Sequence, residues 1–409
     1  MKKILIVIGT RPEAIKMAPL YKEFLKYPRK FCTKLCVTAQ HREMLDQVLT
    51  FFELIPDYDM DLMRSNQNLF TLTADIITGM KPVLEEVKPD YVFVHGDTTT
   101  SAAAALASFY YGAKVCHIEA GLRTYDKQSP WPEELNRQLT SRIADYHFAP
   151  TNKAKTNLLS EQIKEKTIEV TGNTVIDALF YTINHVNHLK DDNEIEEIKQ
   201  LINLKTNIQS KEFNNQSIDK QESNARKEII LVTGHRRENH GKGFENICNA
   251  LKEISEKANV HIVYPVHLNP IVQKTVYEIL NNNPNISLIA PLNYEAFIWL
   301  MDKAKLIITD SGGVQEEAPS LGKPVLVMRN TTERPEAVEA GTVILVGTDT
   351  EKIVSETVSL LNDNSRYHQM SQLHNPYGDG YASSRIVNYI ANLESTPRSG
   401  FLKLVFKQS

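Results

Sequence analysis

TDSGGVQEEAPSLGKPVLVMRNTTERPEA, residues 309 to 337, leads from the end of one apolar stretch through two glycines into another. The apolar run from Leu306 stops at Asp310 and Ser311, Gly312 and Gly313 follow, and a helix is expected to open at Val314. Glycines let a backbone approach an anion, and the free N–H groups of a helix's first turn, with the positive end of its dipole, point at the same place. Glu316 and Glu317 then fall in the first helical turns, where a carboxylate can accept from a ribose diol. Gly-Lys-Pro at 322 to 324 closes the helix, and PVLVM resumes a buried strand. Strand, turn, helix and strand form the repeating unit of a doubly wound α/β fold, which binds ligands at the carboxyl ends of its parallel strands. Tight strand-to-helix turns need glycine with or without a ligand, so this stretch alone leaves both readings open.

The same alternation extends in both directions. In the second half EIILVTGH (228–235), VHIVYPVH (260–267) and NISLIAP read as strands, separated by helices near 244–257, 270–282 and 294–303. In the first half ILIVIG (4–9) is an apolar strand, and RPEAIKMAPLYKEFLK opens a helix with Pro12 in its first turn. KLCVTAQ, DYVFVHGD (90–97), KVCHIEAG (114–121), YHFAPT and IEVTGN (168–173) continue the sheet. TTTSAAAALASFYYG is a hydroxyl-capped, alanine-rich helix ended by Gly112. At 409 residues the chain is too long for one ordinary core. We expect an N-terminal domain over 1–172, a nucleotide-binding domain over 173–372, a segment at 373–394 crossing back, and a tail at 395–409. The polar core of the 191–227 region, 205–226, reads as a mobile surface insertion without chemistry.

A net charge of −4 offers no overall attraction to nucleic acid or an anionic membrane, and no apolar run approaches the ~18 residues of a membrane span. The opening MKKILIVIGTRPEA passes into charge after Gly9, so it reads as a strand and not a secretory signal. The four cysteines show no paired metal spacing and suit a reducing cytoplasm. Gly9 is the single glycine after the first strand, so the GxGxxG fingerprint is absent and a nicotinamide cofactor is not expected.

Each strand end facing the expected cleft carries polar residues. Thr10, Arg11, Glu13 and Lys16 follow the first strand, and Arg11 with Lys16 suits a diphosphate. His235, Arg236 and Arg237 crowd one turn of TGHRREN, which suits an anion but is also compatible with an exposed basic loop. Asp97, Glu119 and Glu133 lie at or just past strand ends of the first half, where crowded carboxylates suit general acid and base work. Taken singly, Asp97 can be a helix cap and Glu133 a helix-dipole residue. Arg123 and Arg137 are candidate partners for these carboxylates, with Arg137 also placed among the substrate-binding residues; His117 and His147 read as core histidines.

These residues resemble the non-hydrolysing UDP-N-acetylglucosamine 2-epimerases of bacterial surface-polysaccharide synthesis. GTRPEAIKMAPL, TAQHREMLDQVL, HGDTTT, HIEAGLRT, SPWPEELNRQLT, TGNTVIDAL, VTGHRREN, VYPVHLNP, the 309–337 stretch and HNPYGDG carry the likeness, which runs to about residue 395. The resemblance implies an α/β fold of two Rossmann-like doubly wound domains facing across a cleft in the GT-B arrangement, and a cytoplasmic homodimer. It implies that Arg11, His235, Ser311 and Gly312, to which we add Gly313, hold the diphosphate. Glu317 would take the ribose, the backbone near Phe297 the uracil, and Arg334 would lie nearby. Asp97, Glu119 and Glu133 match the family's essential carboxylates, and we count His235 with the catalytic set. Gln40, Glu43, Arg236 and His267 match positions associated with a second, activating UDP-N-acetylglucosamine. No cofactor or metal is expected. The implied reaction removes the carbon 2 proton as UDP leaves, passes through a 2-acetamidoglucal and re-adds UDP, giving UDP-N-acetylmannosamine. A GT-B glycosyltransferase, a hydrolysing epimerase or an inactive sugar-nucleotide sensor would share the cradle.

Overall fold

The structure, a computed structural model, describes residues 1–39, 42–64, 67–187, 192–206 and 226–394. The chain divides into two compact units, Met1–Tyr181 with the segment from Tyr377 onward, and Thr182–Pro376. Most of the expected insertion, and the tail after 394, lie outside the described residues.

The first unit is built on β1 (Lys2–Ile8), β2 (Phe31–Val37), β3 (Tyr58–Asp59), β4 (Tyr91–His95), β5 (Lys114–Ile118), β6 (Tyr146–Ala149) and β7 (Ile168–Val170). They form one sheet in the order β3-β2-β1-β4-β5-β6-β7, parallel throughout. Such sheets are covered on both faces, which is why ILIVI of β1 and VFV of β4 are wholly buried. The helices are α1 (Arg11–Leu25), α2 (Arg42–Phe51), α3 (Leu69–Val87), α4 (Thr99–Tyr111), α5 (Glu133–Ile143), α6 (Asn152–Ser160) and α7 (Thr174–Val186), the last running into the second unit. Their starts are written locally. Thr10, Asn68, Thr98 and Thr151 each accept a backbone N–H at a helix N-terminus, and Gly112 ends α4 in a left-handed conformation.

The second unit has α8 (Asn193–Thr206), β8 (Glu228–Thr233), α9 (Lys242–Lys257), β9 (Val260–Pro265), α10 (Pro270–Leu280), β10 (Ile286–Ile289) and α11 (Tyr294–Lys303). β11 (Leu306–Thr309), α12 (Gly312–Glu317), β12 (Val325–Val327), α13 (Pro335–Glu339), β13 (Val343–Leu345), α14 (Thr350–Asn362) and α15 (Asn364–Ser371) complete it. The strand order is β10-β9-β8-β11-β12-β13, again parallel. The helix expected from Val314 opens two residues earlier and is short. It passes into a 3-10 turn over Ala318–Leu321, where Pro319 brings no N–H to continue the α-helical ladder.

The last helix, α16 (Ala382–Asn392), belongs to the first unit. Asp177 on α7 accepts the N–H groups of Ala382 and Ser383 at 3.1 and 2.7 Å, and Lys2 Nζ donates to the carbonyls of Ile390 and Leu393. In both sheets the strand order reverses at one point, between β1 and β4 and between β8 and β11. Where the order reverses, the connections leave neighbouring strands toward opposite faces of the sheet, so a crevice opens at their carboxyl ends. GTRPE and HGDTTT occupy the first such point, and TGHRREN and TDSGG the second.

Candidate active site

At the switch point of the first unit the turn after β4 brings Gly96, in left-handed geometry, and then Asp97. Arg137 on α5 pairs with Asp97 through Nη2, and Asn136 Nδ2 donates to the Asp97 carbonyl at 3.0 Å. One strand further along, Glu119 itself has φ +60°, a region costing a non-glycine residue about 1 kcal/mol. Its Oε2 accepts from Lys16 Nζ on α1 and from Asn173 Nδ2 at 2.8 Å, with His95 Nε2 at 3.5 Å. A methyl group on Gly96 would sit 3.8 Å from Glu119 Oε1, so this carboxylate lies against the turn that carries Asp97. Glu133 begins α5, one helical turn before Arg137, where a carboxylate favours the helix dipole.

Buried groups hold these turns. His117 Nε2–H donates to the Gly96 carbonyl at 2.8 Å, and burial pushes the imidazole down to about 3, so the ring stays neutral. His147 donates to the Ser141 carbonyl at 2.8 Å, and both histidines are core residues as expected. Glu134, fully buried, accepts the N–H groups of Thr124 and Tyr125, both at 3.0 Å, and Arg137 Nη1 lies 3.4 Å from it. Arg123 departs from expectation. It pairs with Glu161 at 2.7 Å and donates to Ser141, because α6 brings a carboxylate within its reach; it does not serve Asp97, Glu119 or Glu133. Lys16, expected beside a diphosphate, donates to Glu119, while Arg11 starts α1 half-buried.

In the second unit the ends of β8 and β11 are tied together. Thr233 and Thr309 are register partners whose hydroxyls are 2.6 Å apart, and buried Asp310 accepts the N–H groups of His235 and Arg236, each at 2.8 Å. The other Asp310 oxygen has no hydrogen bond and lies 3.8 Å from His235 Nδ1. His235 stacks on His267 with ring centroids 4.7 Å apart. Although its side chain is 43% exposed by area, crowding around the ring lowers its pKa: burial acts first, Asp310 opposes it, and His267 and Arg236 reinforce it.

Above the Gly-Gly turn two cations converge. A methyl on Gly312 would lie 3.9 Å from Arg334 Nη2 and 4.0 Å from Arg236 Nη2. Arg334 also pairs with buried Glu316 through Nε, and Arg236 lies 3.8 Å from Glu333. Glu317 is buried, with the Tyr294 hydroxyl 3.4 Å from its Oε1, so α11 and the glutamate meet. Phe297 is on α11, its own N–H already donating to the Asn293 carbonyl. Ser311 is the residue before α12 and Gly313 is exposed beside it.

The expected activator residues fall on both units. Arg236 and His267 stand within the His235 cluster, Glu43 is exposed on α2 of the first unit, and Gln40 lies outside the described residues. Sequence reading missed Asn173, His95, Glu134, Asp310 and Arg329. Arg329, just past β12, joins Glu238 and Glu333 at 2.6 Å each and ties the loop after β8 to the loop after β12. A signal existed for Asp310 and Glu134, each adjacent to a motif residue, but nothing in the order of residues tells an inward carboxylate from a ligand-facing one.

Two doubly wound parallel sheets with polar loops at their switch points define the GT-B class of paired Rossmann-like units. The family profile described as UDP-N-acetylglucosamine 2-epimerase matches residues 24–391. The chain is 55% identical over 395 residues to UDP-N-acetylglucosamine 2-epimerase of Yersinia pestis, covering 96% of this chain and 100% of that one. It is 54% identical over 391 residues to the enzyme of that name from Escherichia coli (strain K12), covering 95% and 98%. Among solved structures it is similar to UDP-GlcNAc 2-epimerase from Neisseria meningitidis bound to UDP-GlcNAc, with a TM-score of 0.80, 49% identity and coverage of 95% and 99%. The Methanocaldococcus jannaschii UDP-GlcNAc 2-epimerase in complex with UDP-GlcNAc and UDP gives 0.73, 33%, 95% and 99%. The chain belongs to the UDP-N-acetylglucosamine 2-epimerase family, the non-hydrolysing isomerases its motifs resemble.

Proposed function

We propose that this isomerase interconverts UDP-N-acetylglucosamine and UDP-N-acetylmannosamine by breaking and remaking the bond between carbon 1 and UDP. The observation that carries the reading is Glu119, held in left-handed backbone by Lys16, Asn173 and the Gly96–Asp97 turn. Such a group is placed by three elements at once and does not depend on a mobile loop for its position.

The proton on carbon 2 has no neighbouring carbonyl to acidify it. A base takes that proton, its electron pair forms the C1=C2 bond, and the C1–O bond to UDP breaks, leaving 2-acetamidoglucal and UDP. A proton delivered to the other face of carbon 2, with a diphosphate oxygen returning to carbon 1, gives the epimer. Asp97, Glu119 and Glu133 supply acid and base. The leaving diphosphate is stabilised by Arg11, His235, Ser311, Gly312 and Gly313, with Arg334 beside them. The approach of the Arg334 guanidinium to Gly312 favours this placement. Glu317 takes the ribose and the α11 backbone near Phe297 the uracil, a reading supported by the approach of Tyr294 to Glu317. The reaction takes place in the cytoplasm, in a homodimer, and supplies surface-polysaccharide synthesis; Gln40, Glu43, Arg236 and His267 serve activation by a second substrate molecule. No helix among the described residues is long and apolar enough to cross a membrane.

The elimination route is tested with substrate carrying oxygen-18 between carbon 1 and the β-phosphate. Cleavage frees the phosphate to rotate, so the label spreads to its non-bridging oxygens, visible by phosphorus NMR. Inversion at carbon 2 with the label fixed in the bridge would contradict a UDP that leaves carbon 1 and turns before it returns.

A further inference from the structure

The carboxylate of Glu13 is buried at the switch point of the first unit, between the end of β1 and the start of α4. One oxygen, Oε2, accepts the N–H of Gly9 at 3.0 Å, the N–H of Thr10 at 2.8 Å and the Thr10 hydroxyl at 2.9 Å. The other, Oε1, accepts the hydroxyls of Thr98 at 2.7 Å and Ser101 at 3.0 Å. An ordinary capping box uses a glutamate to satisfy the N–H of its own helix cap. Here the second oxygen leaves α1 for the first turn of α4, and the positive ends of two helix dipoles converge on one carboxylate.

A second observation shows that the approach of the two turns is built in. A methyl on Gly9 would fall 2.1 Å from Thr100 Oγ1 and 2.6 Å from Thr38 Oγ1, so no side chain fits between β1 and α4. Backbone N–H groups at a strand-to-helix turn, two helix N-termini and a close backbone approach are what a doubly wound sheet offers to a phosphate. In this unit the chain's own carboxylate fills that place.

We infer that Glu13 is an internal anion, seated where a nucleotide phosphate would otherwise bind in the first unit, and that by clasping the Thr10–Arg11 turn to the Asp97–Thr98 turn it positions both for the reaction. The positioning half rests on the function proposed above; the anion seat does not. Glu13 touches neither substrate nor reacting atoms and acts through Arg11 and Asp97. The single Ser101 hydroxyl proton is shared between Glu13 and the His95 carbonyl, so the clasp reaches the strand end that leads to Asp97.

Removing the side chain leaves a seat that a small carboxylate can enter. Glu13→Ala and Glu13→Gln are compared with the unaltered protein in sodium formate and in sodium chloride of equal ionic strength, by thermal unfolding and by turnover of UDP-N-acetylglucosamine. Glu13→Ala is expected to unfold at lower temperature, to regain part of the loss in formate but not in chloride, and to lose on the order of 10- to 100-fold in kcat, with KM changed far less, as expected for misplaced groups. Formate restores part of that kcat. Glu13→Gln keeps the shape without the charge, so it folds, turns over about tenfold more slowly and ignores formate. Equal responses to formate and chloride overturn the anion seat, and full turnover in Glu13→Gln overturns the positioning role. If Glu13→Ala does not fold, formate added during refolding recovers it under the proposal, and recovery by chloride alone contradicts it. An unaltered protein that does not epimerise while formate still stabilises Glu13→Ala would indict the proposed reaction and leave the seat standing.

Discussion

Lys16 Nζ donates to Oε2 of Glu119, joining the second turn of the first helix to the end of β5, two strands over from β1 and 103 residues away in sequence. Both side chains are largely buried, at 15% and 8% exposure. Removing one partner of a buried pair leaves the other charge uncompensated, at a cost of about 3 kcal/mol. Lys16→Met should therefore lower the stability of the first unit by about that amount in urea unfolding and reduce turnover on the order of 100-fold, since Glu119 is no longer fixed. UDP affinity, measured by calorimetry, should change little. A large loss of UDP affinity would return Lys16 to the diphosphate.

Asp97, Glu119 and Glu133 occupy the ends of β4 and β5 and the start of α5, and α5 also carries the arginine that pairs with Asp97. Asp97→Asn, Glu119→Gln and Glu133→Gln preserve shape while removing charge and basicity. Each is expected to cut kcat by a factor on the order of 100 to 10,000, the range for a lost acid or base, and to leave UDP binding nearly unchanged. Steady-state turnover beside titration calorimetry reads both. Unchanged turnover in any one variant removes that residue from the proton-transfer scheme.

Glu333 couples acid to stability. Burial by itself would raise its pKa, but the hydrogen bond and charge of Arg329 outweigh that and hold it at about 2, against 4.5 for a free glutamate. A folded pKa below the unfolded one means the unfolded chain binds the proton more readily in that interval. The contribution is therefore complete above pH 4.5 and disappears as the pH falls toward 2. Glu333→Gln should destabilise the protein at pH 7, and its difference from the unaltered chain should shrink between pH 5 and the most acid condition that still permits folding. Thermal unfolding across that range checks it; a difference that grows with acidity would contradict the assignment.

Gly121 follows the strained Glu119 by two residues and has φ +94°, where a methyl would fall 2.3 Å from the Ala154 carbonyl oxygen. Backbone at that site cannot step aside as a side chain can. Gly121→Ala should destabilise by about 2–4 kcal/mol, combining the left-handed penalty with overpacking. Turnover measured well below the unfolding temperature should also fall, because the shift propagates to Glu119. A variant as stable as the unaltered chain would mean that α6 moves away freely.

The sheets were legible because the strands beside each switch point are apolar runs that pass into glycine, hydroxyl or acid, and strands buried on both faces are written as such runs. The switch-point loops were legible for the same reason: GTRPE, HGDTTT, TGHRREN and TDSGG each interrupt such a run. What escaped was the direction in which charged side chains turn. Arg123 and Arg137 lie in the same motif region and carry the same charge, yet one goes to Glu161 and the other to Asp97, a choice made by α6, whose polar sequence NKAKTNLLS gave no strong helical pattern. Glu13, Glu134 and Asp310 likewise read as ligand-facing or exposed in a linear chain. Each is buried, because it meets backbone N–H groups that a turn would otherwise leave unpaired. For Asp310 that demand arises only when two strand ends are brought side by side; for Glu13 the Thr10-to-Glu13 spacing of a capping box is local, and only the reach to α4 requires the fold.

The central claim is that carbon 2 is inverted while the sugar begins and ends attached to UDP. Proton NMR of UDP-N-acetylglucosamine incubated with the purified protein in deuterated water, without added cofactor, tests it most directly. The account predicts UDP-N-acetylmannosamine bearing deuterium at carbon 2, with UDP still linked at carbon 1. Free N-acetylmannosamine with UDP, or a substrate that keeps its carbon 2 proton and configuration, would contradict it.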